Sequence, residues 1–290
     1  MHESSGDAAA AEELAAVASR VERFCREQRL QLLFATCTGS RAMGLAGPGS
    51  DYDVRGVVAR PLVEYVTLDE PRRKVESFGL EEGRVDLQLW DIRKACALLA
   101  SSNQRALEML LSPLVVAVHG EARARLQELW ARHGSLHRLA LHYVNDAELH
   151  WSKFIAPAAA TLDGKKYLFL ARSICSIVYI AEHGALPPIV FAELLGATRH
   201  AVGEGVAAEL ERLMAAKRQS TVGQWPRVAL LDAWYAGAGL AERARAVAAR
   251  HSEAAQGEFD ALIANVILKA TQSVYLALWG TKKGMTGPGP

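Results

Sequence analysis

Hydrophobic residues recur along this chain with two different spacings, which divide it in two near residue 120. In the first part, short apolar runs and alternating polar and apolar residues predict β-strands. The predicted strands are 32–37, 54–59, 74–78 and 84–90, with a short one after Pro113. In the second part, apolar residues recur every three or four positions, as in helices. The predicted helices there are 121–132, 136–155, 163–183, 203–218, 226–250 and 256–278.

Helical spacing also occurs within the first part. Apolar residues from Leu14 to Phe24 predict a helix over 11–29, and residues 92–99 and 103–111 predict two more. Residues 1–10 are expected to fray, and the Gly- and Pro-rich tail 281–290 to be disordered. The pattern thus predicts an α+β protein with a mixed sheet in a domain 1–120 and an all-helical domain 121–280.

Composition narrows the class of protein. The 290 residues include 33 basic and 32 acidic ones, so no overall positive field indicates nucleic acid, although a local basic groove remains compatible. The four cysteines are scattered without a CxxC pair, which is typical of reduced thiols in a cytoplasmic protein. The first residues lack the basic region of a signal peptide, and no uncharged apolar run of about 18 residues predicts a membrane span.

Candidate chemistry is concentrated between Thr38 and Val57. The first predicted strand ends at Gly39-Ser40, where backbone N–H groups can cradle a phosphate. Ten residues later come Asp51 and Asp53, which lie two apart and would project from one face of a strand. Carboxylates held so close repel each other, and a divalent cation between them relieves the repulsion.

This arrangement resembles the signature of the nucleotidyltransferase superfamily that includes DNA polymerase beta: Gly-Ser, a spacer, then Asp-x-Asp. Further segments resemble a bacterial and phage branch of predicted nucleotidyltransferases, the RNA-repair-pathway or YcgL-like group. These are residues 39–44, 50–55, 90–94, 102–103, 112–113, 166–172 and 187–188. The resemblance covers roughly residues 33–195, and the last third of the chain shows none.

The resemblance implies a third metal-binding acid on a strand beside the Asp-x-Asp strand. Asp86 is the best match, because residues 84–90 alternate and place Val85 and Leu87 on the opposite, apolar face. Asp91 competes, but it precedes a helical segment and is better explained as an N-cap. Glu76 on the preceding strand is a weaker alternative.

The family chemistry implied by this match is metal-dependent transfer of a nucleoside monophosphate. Asp51 and Asp53 would hold a Mg²⁺ or Mn²⁺ ion on the nucleotide side, and Asp86 would complete a second ion and accept the proton of the attacking group. The NTP would be attacked at its α-phosphorus and pyrophosphate released. The domain 1–120 would be catalytic, and the helical domain would close over the cleft.

Candidate nucleotide-binding residues come from both parts of the chain. Gly39 leaves room for phosphates, and Ser40 offers a hydroxyl and an N–H. Arg41 and the helical Lys165, Lys166 and Arg172 could contact the triphosphate, since Lys165, Phe169 and Arg172 form one stripe at 100° per residue. A solvated helix face would give the same pattern. Arg55, two residues past Asp53, is placed to pair with a carboxylate.

The acceptor is less constrained. The family name suggests an RNA end, while a small molecule or a protein side chain fits the residues equally well. The alternative is a non-catalytic nucleotide- or RNA-binding module, used for sensing or as an antitoxin, but all three carboxylates are present. His133, His137, His142 and His150 lack zinc-ligand spacing, and the chain has no GxxxxGK[ST], GxGxxG or GxSxG motif.

Overall fold

A five-stranded mixed sheet forms the first part of the protein. The computed structural model describes residues 3–66, 75–80, 84–158, 160–249 and 255–279. The strands are β1 Gln31–Cys37, β2 Tyr52–Ala59, β3 Val75–Leu80, β4 Val85–Asp91 and β5 Val115–Val118. Their order is β3-β4-β2-β1-β5, with β2 and β4 parallel and the other neighbours antiparallel. The α+β class with a short mixed sheet is therefore confirmed.

Helices surround the sheet and make up almost all of the second part. They are α1 Glu3–Glu27, α2 Gly39–Ala42, α3 Leu62–Tyr65, α4 Ile92–Ala100, α5 Gln104–Leu111, α6 Ala122–His133, α7 Leu136–His150, α8 Lys165–His183, α9 Phe191–Val202, α10 Glu204–Arg218, α11 Ala229–Gly237, α12 Leu240–Ala246 and α13 Ala255–Trp279. A π-helical turn, Trp151–Ile155, follows α7 directly. A ribbon of two short strands, β6 Thr161–Leu162 and β7 Trp225–Pro226, joins distant parts of the helical region.

The helices differ from the expectations in the following respects. The first helix begins at Glu3 instead of residue 11, since the alanine-rich residues 8–11 favour helix. Helix α9 was not predicted. The predicted helix 226–250 is two helices, because Gly239 adopts a left-handed φ of 57° between them. The last turn of predicted helix 136–155 is the π-helical turn. The predicted disordered tail lies outside the described residues.

The two faces of the sheet pack against different helices. Helix α1 covers one face, and its Val17 and Val21 belong to the same buried hydrophobic cluster as Val54 and Leu87. On the other face, side chains of β1, β2 and β4 join the core of the helical region in one hydrophobic cluster. A register shift between Leu32 and Phe34 alters the alternation of β1. Sheet and helices thus share a core, while the division at residue 120 stays a prediction.

Two further expectations concern cysteines and membranes. All four cysteines, at positions 25, 37, 96 and 175, are buried and unpaired, which agrees with the reduced thiols expected from their spacing. Over the described ranges, none of the helices combines the length and hydrophobicity that crossing a membrane would need.

A buried carboxylate fixes the point where β4 passes into α4. Asp91, which is 1% exposed, caps α4 by accepting a hydrogen bond from the Arg93 amide at 2.9 Å, so the N-cap assignment is confirmed. Its Oδ2 accepts a second hydrogen bond from the Tyr65 hydroxyl at 2.7 Å. The buried Arg60 guanidinium lies 3.6 Å from the same oxygen. Asp91 therefore joins the ends of β2 and β4 and has a structural role.

We expect Asp91→Ala to lower the free energy of unfolding by about 3–5 kcal/mol, because it removes the carboxylate beside a buried arginine and the cap of α4. Urea denaturation followed by circular dichroism measures the change. Asp260→Ala, at an exposed position of α13, is the matched control and should stay within about 0.5 kcal/mol of wild type. Equal stability of the two variants would contradict the structural role.

Candidate active site

The turn after β1 brings the backbone directly against a carboxylate. The Thr38 amide donates to the Asp53 carbonyl at 2.7 Å, and the Thr38 hydroxyl donates to the same oxygen at 3.1 Å. Gly39 follows with a left-handed φ of 63°, and a Cβ added there would lie 2.0 Å from Oδ2 of Asp53. The glycine is thus required both by its conformation and by the close approach. Ser40 is buried in the next turn.

The parallel pairing of β2 and β4 places two of the predicted acids side by side. Asp53 and Asp86 are partners in the register. Both are half-buried, while Val54 and Leu87 beside them are fully buried on the opposite face, as the alternation predicted. Asp51 is exposed and comes directly before β2. The structure thus brings Asp53 and Asp86 together on the face of the Gly39 turn.

The negative charge of Asp51 acts on Asp53. Burial raises the pKa of the Asp53 carboxyl, and the charges of Asp51 and Asp86 raise it further. The positive charges of Arg55 and Lys217 act in the opposite direction. The net effect is a raised pKa, so the surroundings of Asp53 disfavour its charged form. A further positive charge at this point would be stabilising.

Arg55 supplies the positive charge that is already in contact with both acids. Its Nη2 lies 2.7 Å from Oδ2 of Asp86 and 3.3 Å from Oδ1 of Asp53. Its Nη1 donates to the carbonyl oxygens of Asp86 at 2.8 Å and Val54 at 3.0 Å. The expected pairing of Arg55 with a carboxylate is confirmed, and it involves both registered acids.

The donor set fits a divalent cation. Asp53 and Asp86 present hard carboxylate oxygens on adjacent strands, and their shared contact with Arg55 means that one cationic group can reach both. Within the described ranges, however, no three His, Cys, Asp or Glu side chains are gathered as metal ligands. The three-acid site of Asp51, Asp53 and Asp86 therefore stays a prediction. Glu76 pairs with Leu89 in the sheet, and its side chain lies outside the description.

The loop between Gly39 and Asp51 is held by two arginines. Arg41 donates to the carbonyl oxygens of Ser50 at 2.7 Å and Asp51 at 3.1 Å, and its guanidinium lies 3.6 Å from the centre of the Tyr52 ring. Arg41 thus stabilises this loop by joining its first helical turn to its last residues. Arg218, at the end of α10, donates to the Gly44 carbonyl at 3.0 Å. The last third of the chain therefore supports the signature loop, a role that no sequence motif indicated.

A cleft of about 500 Å³ opens from the Gly39 turn toward the helical region. Helices α5, α7 and α8 and the π-helical turn form its other wall. Its lining is rich in positive charge, with Glu108 and Asp146 as the acidic residues among the lining side chains described. The positively charged lining residues are Arg55, Arg105, Lys153, Lys166 and Arg172. Such a lining favours an anionic ligand.

The predicted basic residues of α8 divide between cleft and surface. Lys166 lines the cleft, with its Nζ 3.9 Å above the Phe154 ring, and burial lowers its pKa. Lys165 instead pairs with Asp163 at 3.0 Å and is absent from the lining. Sequence reasoning missed Arg105 and His150, which also line the cleft. A basic residue at a helix start and a histidine without metal-ligand spacing gave no signal for this.

Arg172 is the most buried of these positively charged groups. Its Nη1 donates to Oε1 of Glu108 at 2.7 Å, and the Tyr143 hydroxyl donates to the same oxygen at 3.1 Å. Burial lowers the pKa of Arg172, but Glu108 and Tyr143 outweigh burial, so the pKa is raised and the group stays charged. Its Nε and Nη2 are buried without a hydrogen-bond acceptor. Arg172 thus brings a fixed positive charge to the cleft wall, which favours an anionic ligand.

Fold and site together define the class as nucleotidyltransferase-like: a mixed sheet, a Gly-Ser turn, and registered acids on neighbouring strands. The particular family follows from comparison with known proteins. The chain belongs to the RNA repair pathway DNA polymerase beta family, RlaP, whose model matches residues 15–265. The match confirms the expected group and extends beyond the residues 33–195 that the sequence motifs covered.

Two relatives illustrate the similarity. The uncharacterized protein YcgL of Bacillus subtilis is 26% identical over 204 residues, which cover 70% of this chain and 76% of that protein. A nucleotidyltransferase-like protein from Exiguobacterium sibiricum aligns with 92% of this chain and 81% of its own, at 13% identity and a TM-score of 0.31. Neither of these two proteins assigns a role to a residue of this chain.

We expect Gly39→Ala to destabilise the protein by about 1–3 kcal/mol more than Gly49→Ala, because its Cβ displaces the Asp53 carboxylate. Gly49 is the matched control, since it has a similar φ of 77° and open space where a Cβ would lie. Urea denaturation of both variants gives the difference. In an Asp53→Ala background the difference should shrink; an undiminished one would contradict the contact between Gly39 and Asp53.

Proposed function

We propose that this protein transfers a nucleoside monophosphate from an NTP to a hydroxyl or phosphate acceptor and releases pyrophosphate. The observation that carries the proposal is the registered pair Asp53 and Asp86. Asp53 lies against Gly39 and both acids contact Arg55, and these two residues line a positively charged cleft. Membership of the polymerase beta family supports the same class of reaction.

The triphosphate is assigned to the cleft. Thr38 and Gly39 border it on the sheet side, with the buried Ser40 next in the turn, and Lys166 and Arg172 line it from α8. Arg172 lines the cleft wall and keeps its charge, so it favours a phosphate there. Arg41 and Lys165, whose charges are engaged with the loop and with Asp163, are assigned supporting roles.

Divalent metal is assigned to the acids. Asp51 and Asp53 would hold an ion on the nucleotide side, and Asp86 would complete an ion on the side of the attacking group. When bound, Mg²⁺ or Mn²⁺ neutralises phosphate charge and lowers the pKa of the attacking hydroxyl. In the transfer itself, the acceptor oxygen bonds to the α-phosphorus, the bond to the β-phosphate oxygen breaks, and the acceptor proton passes to the Asp86 carboxylate.

An RNA end is the acceptor that we favour. The family carries RNA repair in its name, and an RNA end brings negative charge to a cleft lined by five positively charged side chains among the residues described. A small-molecule or protein acceptor would appear as label in a different pool in the transfer experiment below.

We expect Asp53→Asn to weaken Mn²⁺ binding at least about tenfold, since one ligand charge is lost while the shape is kept. In the absence of metal, its stability at neutral pH should equal or exceed that of wild type. The raised pKa of Asp53 means that its contribution to stability is present at acidic pH and is lost as pH rises through the folded pKa.

Calorimetric Mn²⁺ titration and urea denaturation at pH 4–8 measure both effects of Asp53→Asn. Stability of the variant should vary less than wild type with pH in the acidic part of this range, because the titrating group is gone. Unchanged Mn²⁺ affinity would count heavily against Asp53 as a metal ligand.

The transfer reaction itself gives the last test of the proposed function. Label from an α-phosphate-labelled NTP should become covalently attached to an acceptor, while γ-label leaves as pyrophosphate. Asp86→Ala should abolish transfer and largely retain nucleotide binding, whereas Asp51→Ala should damage both, because the two ions have different duties. Asp260→Ala, on the exposed face of α13, should transfer like wild type.

Pools of RNA, small molecules and protein, each of the four NTPs, and both Mg²⁺ and Mn²⁺ complete the design. Nucleotide binding by folded protein without α-label transfer in any of these combinations would overturn the transferase and favour the nucleotide-sensing module.

A further inference from the structure

Arg55 occupies a special position relative to the two registered acids. Its guanidinium contacts one oxygen of each carboxylate through Nη2, at 2.7 Å from Asp86 and 3.3 Å from Asp53. Its Nη1 is anchored separately on the carbonyl oxygens of Asp86 and Val54. One half of the group thus neutralises the acids, and the other half fixes it to the backbone.

These contacts compete with metal binding. Carboxylate oxygens are the ligands that Mg²⁺ and Mn²⁺ require, and Nη2 already uses Oδ1 of Asp53 and Oδ2 of Asp86. An ion that binds these oxygens must weaken or replace the charge-assisted hydrogen bonds of Arg55. Because backbone carbonyl oxygens hold Nη1, the guanidinium stays near the site after the contacts of Nη2 are broken. Its positive charge then still repels the bound metal ion.

We propose that Arg55 is a positioning residue that acts as a resident counter-cation: it holds Asp53 and Asp86 side by side and lowers the affinity of the site for divalent metal alone. This inference rests on the metal site of the proposed function. The arrangement relieves repulsion between the paired acids while metal is absent. Arg55 also lines the cleft, so phosphate entering with a metal ion meets the guanidinium that the ion displaces.

The test is the affinity of the full-length protein for Mn²⁺ alone, without nucleotide, measured by electron paramagnetic resonance of free Mn²⁺. Arg55→Gln should bind Mn²⁺ roughly tenfold more tightly than wild type, the factor that corresponds to losing one competing charge-assisted hydrogen bond. A purely structural role predicts the opposite sign, since loosened carboxylates bind metal less well.

Arg105→Gln is the matched control. It removes the same charge from the same cleft, but Arg105 is largely exposed and lies 3.8 Å from Asp146, not at the registered acids. Its Mn²⁺ affinity should stay within about twofold of wild type, because exposed charges are screened by salt. Arg55→Lys keeps the charge without the planar fork and should fall between wild type and Arg55→Gln.

The outcomes separate this inference from the proposed function. Mn²⁺ binding by wild type that is unchanged or weakened in Arg55→Gln overturns the role of Arg55 and leaves the metal site standing. Absence of Mn²⁺ binding in both wild type and Arg55→Gln overturns both. Melting curves in EDTA verify folding, and if Arg55→Gln does not fold, tighter binding by Arg55→Lys supports the inference while unchanged or weaker binding overturns it.

Discussion

The parallel pairing of β2 with β4 is the constraint on which the site depends. The pairing sets Asp53 opposite Asp86. One face of the two strands is therefore buried and apolar, and the other carries the acids. One face packs on α1 through residues such as Val54 and Leu87, which fixes the register because a slip of one residue would bury the acids. At the far end of the same pair, Asp91 ties β4 to the end of β2. Hydrophobic burial thus holds like charges together.

Like charges held together need nearby compensation. The backbone at Gly39 also lies so close to the Asp53 carboxylate that a side chain has no room there. Arg55 compensates the negative charges by direct contact with both acids. Lys217, near the end of α10, adds a positive charge that acts on Asp53. The remaining cleft charges come from the helical region, where burial of Arg172 is offset by Glu108. The site is therefore made of charges that hydrophobic packing positions.

The sequence by itself determined most of the sheet and the positions of two of the candidate acids. Alternation over residues 84–90 was enough to put Asp86 on the polar face, because side-chain direction in a strand depends only on position. The N-cap role of Asp91 was also readable, since capping involves residues next to each other in the chain. The pairing of Arg55 followed from its spacing to Asp53. These features are local, and local rules were sufficient.

Tertiary structure alone decided which positive charges reach the cleft. Periodicity could not separate Lys165 from Lys166, because the face of α8 that lines the cleft depends on how α7 and α9 pack around it. Arg41 donates to a carbonyl oxygen of the loop instead of lining the cleft. Arg218 of α10, in a region without any motif, donates to the same loop. Such contacts join residues far apart in the chain, and their geometry is set by packing of the whole core, which no local pattern records.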